Sequence, residues 1–374
     1  MHGKARRRER RCDTFEKIRP FFRRPPASRL ELMEALSALQ KALRALTRPH
    51  NYARGANLQE HADLLRLYML TGAREWWPNP MPPPDLDSLP PPRRQREVVR
   101  ERIYLQAITL LQRWHRERPS PLPPASLSKP LTAERHAELA AKRAAEVNEA
   151  QRRAFGFELS VGPSKASPFA GNGVFLHGSA PPGSVLLFWP GVSYEPADLL
   201  LLPGGTRAFE GNEYLMARFD RSIIDASETA QRTIPQEALE CPLSAAHIVN
   251  HPPSGARPNV MPAPIDWNVS VPRELLTLLP NVSYHRSASA QRLLAGSAYG
   301  TESRALIDVF RASLADSLRR TEPEGGPVLR GLAFIAAREV RDEELYLNYR
   351  LNPRNGYPSW YSPVDREEDA RRWQ

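Results

Sequence analysis

The chain has 374 residues, 41% of them hydrophobic, so it is long enough for a sizeable core and for about two domains. It contains 38 prolines. This is roughly twice the ordinary proportion and predicts long extended connections between folded segments. No apolar run approaches the roughly eighteen residues of a membrane-spanning helix, so none is predicted. The N-terminus lacks the apolar stretch of a secretory signal.

Charge is distributed unevenly along the chain. The first 155 residues carry +14 and the rest −4, which gives the net charge of +10. A basic region attached to a mildly acidic body favours an acidic partner, such as nucleic acid, an anionic membrane surface or an acidic protein. A solubilising tail is an equally good interpretation. Residues 4–24 are also Arg-rich, as in an organellar transit peptide, although Glu9, Asp13 and Glu16 weaken that alternative.

Cysteine and histidine usage gives no sign of a metal site. The only cysteines are Cys12 and Cys241, too few for a disulfide framework or a four-thiolate zinc site. The sequence is therefore typical of an intracellular protein, and we expect it in the nucleus or cytoplasm. Four histidines of the N-terminal half are scattered without metal-ligand spacing: His50, His61, His115 and His136.

The residues before 156 predict a basic disordered arm followed by helices. Leucines spaced alternately by four and three residues predict a helix over 28–46, and similar apolar spacing predicts two more. An Ala-rich stretch that Thr132 can cap predicts a fourth. Prolines separate the helices into an α-helical region that we interpret as a scaffold or docking module. The predicted bounds are 1–26 for the arm, 27–155 for the helical region, 57–76, about 94–117 and 132–153 for the further helices, and 78–92 and 119–130 for the linkers.

After Gly156 short β-type runs alternate with Gly, Pro and Asn, which predicts small antiparallel sheets with irregular connections. The predicted fold class is therefore α+β, with a β-rich domain over 156–355 and a C-terminal tail over 356–374. Polar residues over about 286–327 predict an inserted surface arm. The predicted strands are 173–177, 184–189, 222–225 and 332–335, and a short helix is predicted around 272–279.

Three motifs in this domain contain side chains suited to binding or catalysis. Residues 171–175 read Gly-Asn-Gly-Val-Phe, and two glycines around one residue let the backbone approach a ligand and expose N–H groups. Residues 250–251 are Asn-His, an amide and an imidazole that can meet a polar ligand, and their loop closes with Pro-Asn at 258–259. The third motif, over 342–349, reads Asp-Glu-Glu-Leu-Tyr-Leu-Asn-Tyr and follows an apolar strand.

In this order the three motifs resemble those of the SET-domain protein-lysine methyltransferases, and the match covers about residues 156–352. They resemble the family's glycine motif, its Asn-His…Pro-Asn motif and its Glu-Glu-Leu-x-x-x-Tyr motif. Residues 271–282, with Phe-Gly-Phe at 155–157, are similar to the SET domain-containing protein 9 subfamily. Two features differ from the family pattern: Asp342 stands where a glycine is usual, and the loop after Asn-His is longer.

The resemblance implies a SET fold, in which small β-sheets surround a pseudoknot where the Asn-His segment and the C-terminal segment cross. It also implies binding of S-adenosyl-L-methionine and methyl transfer to a lysine of a protein substrate. Tyr349 is the implied catalytic residue and lines the lysine channel. The implied cofactor-binding residues are Gly171, Asn172, Gly173, Trp189, Asn250, His251 and Tyr349.

Two other functions are compatible with the sequence. The chain could be a SET-fold interaction module without catalysis, since one fold can host unrelated functions. It could also be a nucleic-acid-associated protein that acts through its basic N-terminal region, although it lacks aromatic interleaving and Cys/His finger spacing. The aromatic residues Tyr357, Trp360 and Tyr361 could either cover the implied channel or pack on an ordinary surface.

Overall fold

The computed structural model describes residues 54–79, 89–120, 133–196, 198, 202, 209–268, 270–284 and 329–373. The predicted basic arm, the predicted helix over 28–46 and the predicted inserted arm lie outside these residues. Most of the two proline-rich segments also lies outside them.

Three long helices precede the β-rich part: α1 (Arg54–Trp76), α2 (Pro92–Glu117) and α3 (Ala133–Phe155). The structure confirms α1 and α2, predicted from apolar spacing, and α3, predicted from the Ala-rich stretch. Pro92 lies in the first turn of α2, where its fixed φ suits a helix start. Gly156 ends α3 in a left-handed conformation with φ +82°. No helix within the described ranges is long and apolar enough to cross a membrane.

Helix α2 buries one stripe of side chains. The buried apolar residues are Val99, Ile103, Ala107, Leu111 and Trp114. The apolar spacing in the sequence predicts that Leu110 is buried with Val99, Ile103, Ala107 and Trp114. The structure instead buries Leu111 completely and leaves Leu110 partly exposed. The two leucines lie about 100° apart around a helix, so a small rotation decides which one faces the core.

In the part of the chain that the structure describes, ten short strands form three small sheets, with the orders β1-β2-β10, β3-β9-β7 and β5-β6-β4-β8. Strand pairing is antiparallel except between β4 and β8. The chain is thus mixed α+β with small, mainly antiparallel sheets, as the sequence predicts. The strands are β1 (Phe157–Pro163), β2 (Asn172–Ala180), β3 (Val185–Phe188), β4 (Gly191–Tyr194), β5 (Leu215–Ala217), β6 (Ile223–Asp225), β7 (Val260–Trp267), β8 (Asn281–Ser283), β9 (Leu329–Ala336) and β10 (Val340–Glu344).

Short helices connect the strands. Helices α4 (Glu228–Gln231) and α5 (Gln236–Leu239) follow β6, and α6 (Arg366–Arg372) lies near the C-terminus. The short helix predicted around 272–279 is a 3₁₀ helix, Arg273–Leu278, whose buried Leu275 and Leu278 face the core. Other 3₁₀ turns are Pro242–Ser244, Ala246–Ile248 and Pro353–Asn355.

The three long helices and the strands share one hydrophobic core. Leu67 of α1, Ile103 of α2 and Ala154 of α3 belong to the same cluster of buried side chains as Leu187 of β3 and Phe334 of β9. The helical region that the sequence predicts as a scaffold therefore packs directly against the β-rich part. A change in α1 or α2 can thus reach the sheets through packed side chains.

One glycine shows how close the helices come to the strands. Gly183 precedes β3 with φ +76°, and a Cβ at this position would overlap the backbone carbonyl of Leu70 in α1. Nearby, the Gln106 side chain of α2 donates to the Gly183 carbonyl (3.2 Å) and accepts from the Val185 N–H (3.1 Å). The turn before β3 is therefore the point where both helices attach to the sheet.

We expect Gly183→Ala to destabilise the fold much more than Gly211→Ala. Both glycines have φ +76°, but Gly211 has nothing within 4 Å of the added Cβ. The left-handed backbone alone should cost Gly211→Ala about 1–2 kcal/mol. At Gly183 the overlap of the new Cβ with the Leu70 carbonyl should increase this loss of stability by a further amount of about 1–3 kcal/mol. Urea denaturation of both variants measures the difference, and equal losses would contradict the close packing of α1 on this turn.

Candidate functional site

The C-terminal segment 345–349 crosses the loop that follows Asn250 and ends at Asn259. At one end of this loop the Leu347 N–H donates to the Asn250 carbonyl (2.9 Å). At the other end the Asn259 N–H donates to the Tyr346 carbonyl (3.1 Å). We call 345–349 the crossing segment. Because it bonds to both ends of the loop, two predicted motifs that are distant in sequence lie side by side.

The Asn259 side chain fixes this crossing. Asn259 is fully buried. The amide nitrogen donates to the Glu344 carbonyl (2.8 Å), and the amide oxygen accepts from the Tyr346 N–H (2.7 Å). One amide thus binds the backbone on both sides of Leu345, because it carries a donor and an acceptor on the same planar group.

The glycine motif forms the turn into β2. Gly171 has φ +66°, and its carbonyl accepts from the Ser164 N–H (2.9 Å), which closes the β1–β2 connection. Strand β2 begins at Asn172, and the Asn172 carbonyl accepts a hydrogen bond of 2.8 Å from the Asn250 amide. Two residues predicted to bind the cofactor, from different motifs, are therefore in direct contact.

A buried carboxylate lies beneath this turn. Glu344 accepts from the Ser164 hydroxyl (2.5 Å), the Lys165 N–H (2.7 Å) and the Tyr346 hydroxyl (2.8 Å). A Cβ at Gly173 would overlap its carboxylate. Gly173 thus leaves open the space that the Glu344 carboxylate occupies. Glu344 is not among the site residues predicted from the sequence. The signal that could have indicated it is its position directly before the crossing segment.

Tyr349 lies at the end of the crossing segment and keeps 38% of its surface exposed. Its hydroxyl donates to the Val249 carbonyl at 3.0 Å. Burial of the phenol, with smaller contributions from Tyr214 and Glu213, raises the pKa of Tyr349 to about 12. The phenol is therefore neutral at physiological pH and can act by hydrogen bonding.

The imidazole of His251 is held between two protein partners. Its Nδ1 accepts from the Tyr349 N–H (3.3 Å), which leaves Nε2 to donate to the Ser362 carbonyl (2.7 Å). The ring is stacked on Tyr361 with centroids 4.3 Å apart. Burial lowers the pKa of His251, so the neutral form is favoured. Both ring nitrogens are engaged, and only the main chain of this residue remains to meet a ligand.

Trp189 is separate from this group. It follows β3, is buried, and its ring lies 5.9 Å from that of Phe334. Its carbonyl accepts from the Asn281 amide (2.9 Å). Within the described residues, none of its hydrogen bonds or ring contacts involves another predicted site residue. The structure therefore places Trp189 in the sheet core, where its indole N–H has no partner in the described part of the chain.

The C-terminal aromatic residues lie directly on the site. The Trp360 ring meets the Tyr349 ring edge to face at 6.2 Å, and Trp360 is 53% exposed. The hydroxyls of Tyr357 and Tyr361 both donate to Asp369 of α6, at 3.3 and 3.2 Å. These contacts favour the first of the two sequence interpretations, in which these aromatics cover the site.

A cavity of about 210 Å³ lies between β1, β2 and the segment 239–248. Its walls include Val174, Ile248 and His247, whose Nδ1 has no partner among the described residues. Burial lowers the pKa of His247 to about 4, and a backbone hydrogen bond at Ser244 opposes this only in part. The His247 ring is therefore neutral at physiological pH.

We expect the fold to lose stability as the pH falls from 7.5 to 5. An unfolded histidine takes up a proton near pH 6.5, whereas folded His247 stays neutral until about pH 4. Protonation therefore favours the unfolded chain over this window, by about 2 kcal/mol for His247 alone. Urea denaturation of wild type and His247→Asn at both pH values measures the effect. An identical pH dependence in the variant would contradict the assignment.

The described residues contain no group of three or more His, Cys, Asp or Glu side chains that could bind a metal ion. In comparisons with known proteins, no protein-family model matches the chain and no curated protein matches it. The geometry and the motifs are therefore the basis on which a function can be proposed.

Proposed function

We propose that the chain is an S-adenosylmethionine-dependent protein-lysine N-methyltransferase with a SET fold. The observation that carries the proposal is the convergence of the three motifs. Asn172 is hydrogen bonded to Asn250, and His251, the next residue, is hydrogen bonded to the backbone of Tyr349. The two residues of the first pair are 78 positions apart in the sequence and those of the second pair are 98 apart, so these hydrogen bonds bring all three motifs together.

The crossing supports the proposed fold. A pseudoknot requires that one segment passes against both ends of a loop, and the crossing segment bonds to Asn250 at one end and to Asn259 at the other. Parallel bridges join Asn250 to Tyr346 and Val260 to Leu347. The three small sheets around this crossing are of the kind that the SET resemblance implies.

The residues around the turn have polar groups to offer the cofactor. The Asn250 amide nitrogen is engaged by Asn172, so its oxygen can accept from the cofactor's ammonium group. The main-chain N–H and carbonyl of His251 have no hydrogen-bond partner among the described residues, so they can pair with the adenine edge. Trp189, by its burial, is better explained as core.

Tyr349 suits methyl transfer because its phenol remains neutral. When bound, S-adenosylmethionine supplies an electrophilic methyl group on a cationic sulfonium. The attacking lysine must be uncharged, although its ordinary pKa is about 10.4. The rings of Tyr349 and Trp360 lie edge to face, 6.2 Å apart. A lysine that is shielded from water beside them would lose part of the solvation that stabilises its ammonium form. The Tyr349 hydroxyl can then orient the amine. Correct orientation of the two reactants lowers the activation barrier of such a displacement considerably.

The nucleic-acid alternative finds less support in the described helices. Their arginines are largely paired with acids: Arg96 with Glu60, Arg102 with Glu75, Arg118 with Glu237 and Arg153 with Glu117. Paired charges attract phosphate less than a free basic face does. That function would therefore depend mainly on the basic residues 1–24. The interaction-module alternative differs from the proposal in needing no cofactor.

We expect wild-type protein to bind S-adenosylmethionine in calorimetric titration, and Asn250→Ala to weaken binding by about tenfold, the loss of one charge-assisted hydrogen bond. The matched control is Asn268→Ala, because Asn268 is exposed and its side chain pairs with Tyr104 of α2 (3.0 Å), away from the predicted site residues. This control should keep wild-type affinity. Absence of binding to wild type would contradict the proposal, and equal affinities of the two variants would contradict the placement of Asn250.

We expect Tyr349→Phe to lower transfer of a labelled methyl group to lysate proteins by about a hundredfold, the scale for removing one positioned hydroxyl. Its affinity for the cofactor should stay close to that of wild type, since the hydroxyl contacts Val249. Tyr104→Phe, which removes a remote hydroxyl, is the control and should transfer normally. Normal turnover by Tyr349→Phe would refute the catalytic role.

A further inference from the structure

The residue after Tyr349 has an unusual backbone. Arg350 has φ +50°, in the left-handed region that non-glycine residues rarely adopt. Its N–H donates to the Asn348 side chain (3.1 Å), and its carbonyl accepts from the indole of Trp373 (2.9 Å). A residue persists in such a conformation only where its surroundings fix it. The backbone direction at Tyr349 therefore depends on what binds Arg350.

The side chain of Arg350 is bound by a residue of the first helix. Its two terminal nitrogens donate to the two carboxylate oxygens of Asp63, at 2.7 and 2.9 Å. Asp63 lies on α1, 287 residues earlier in the chain. The side chains of Arg350 and Asp63 are only 13% and 6% exposed. A two-point contact of this kind fixes the guanidinium in orientation as well as in position.

The same arginine connects Asp63 to the cover of the site. Arg350 also pairs with Glu368 of α6 at 2.6 Å. The next residue, Asp369, accepts from the Tyr361 hydroxyl, and Tyr361 is stacked on His251. Helix α1 is therefore joined to the chain after Tyr349 through Arg350, and to α6 both through Arg350 and directly, because the Gln59 amide donates to Glu368 (3.2 Å).

We infer that Asp63 is a positioning residue for Tyr349. By binding Arg350 at two points, it keeps the backbone after Tyr349 left-handed and thereby aims the phenol at the Val249 carbonyl. The expected effect of Asp63 on methyl transfer rests on the proposed function, whereas its effect on the position of the Tyr349 phenol does not. Asp63 touches neither Tyr349 nor the predicted cofactor residues through any described hydrogen bond. Its closest contact toward the site is the two-point pair with Arg350, since its distance to Arg372 of α6 is longer, at 3.7 Å.

The test compares three variants of the full-length protein. Asp63→Asn keeps the shape of the side chain and removes its charge, and Asp63→Glu keeps the charge but displaces the carboxylate. The matched control is Glu60→Gln, one turn earlier on α1, which removes the ion pair with Arg96 of α2 (3.1 Å) and leaves Arg350 untouched. If Asp63→Asn does not fold, Asp63→Glu is compared with Glu60→Gln instead.

In methyl-transfer assays we expect Asp63→Asn to lower kcat by about tenfold to a hundredfold, the scale for a misplaced reacting group. Its KM for cofactor should stay within about twofold, because Asn250 and His251 remain in place. Asp63→Glu should recover part of the loss, and Glu60→Gln should resemble wild type. An equal effect on KM and kcat, or an equal loss in Glu60→Gln, would overturn the positioning role.

A second readout needs no activity. In protein labelled with ¹³C at the tyrosine ring, the Tyr349 signal is identified by its loss in Tyr349→Phe. Asp63→Asn should shift or split this signal, and Glu60→Gln should leave it unchanged. If wild type transfers no methyl group but the signal moves as expected, the proposed function fails while the positioning claim survives. A Tyr349 signal that is the same in all variants would overturn the claim.

Discussion

The contact on which the site depends is the buried amide of Asn259. It binds the backbone at Glu344 and at Tyr346, and so locks the crossing segment against the Asn-His loop. A buried amide that loses a partner costs about 1–3 kcal/mol for each unpaired group. The crossing therefore has one strongly preferred register, and that register determines which side chains meet.

Each part of the site follows from this register. Glu344, directly before the crossing segment, has its carboxylate under the glycine turn, where it accepts hydrogen bonds from the Ser164 hydroxyl and the Lys165 N–H. Tyr349, at the other end, meets His251 and the Val249 carbonyl. A shift of the segment by one residue would move both contacts at once. The glycine turn and the phenol are thus positioned by the same register of the crossing segment.

The helical N-terminal part is a second constraint on the site. The turn at Gly183 packs against Leu70 so closely that no Cβ fits, and Asp63 binds Arg350. Helix α1 therefore contacts both the sheet core and the segment that follows Tyr349. Movement of α1 would disturb the crossing from outside, because closely packed cores transmit displacement.

Much of this arrangement could be predicted from the sequence, because local signals carry it. Apolar periodicity predicts α1 and α2, and alternating short runs predict β2 and β9. Strand β7 gives no clear signal, since Pro262 and Pro264 disfavour a central strand. The structure places β7 at the edge of the order β3-β9-β7, where prolines are tolerated.

Contacts between distant residues have no such local signal. Nothing near Asp63 or Arg350 in the sequence indicates that they meet. The burial of Trp189, predicted as a cofactor residue, depends on how β3 packs against β9. Likewise, the two hydrogen bonds that occupy the His251 ring come from residues about a hundred positions later. The motifs thus indicate which backbone segments lie together. They indicate less well which side-chain atoms remain free to bind a ligand.

The most direct test of this account is a crystal structure grown with S-adenosylhomocysteine, the product form of the proposed cofactor. The account predicts ligand density between the glycine turn at 171–173, the Asn250 amide and the Tyr349 phenol, with the His251 main chain facing the adenine. Density elsewhere, for example in the cavity beside Val174 and His247, or no density at saturating ligand, would contradict it.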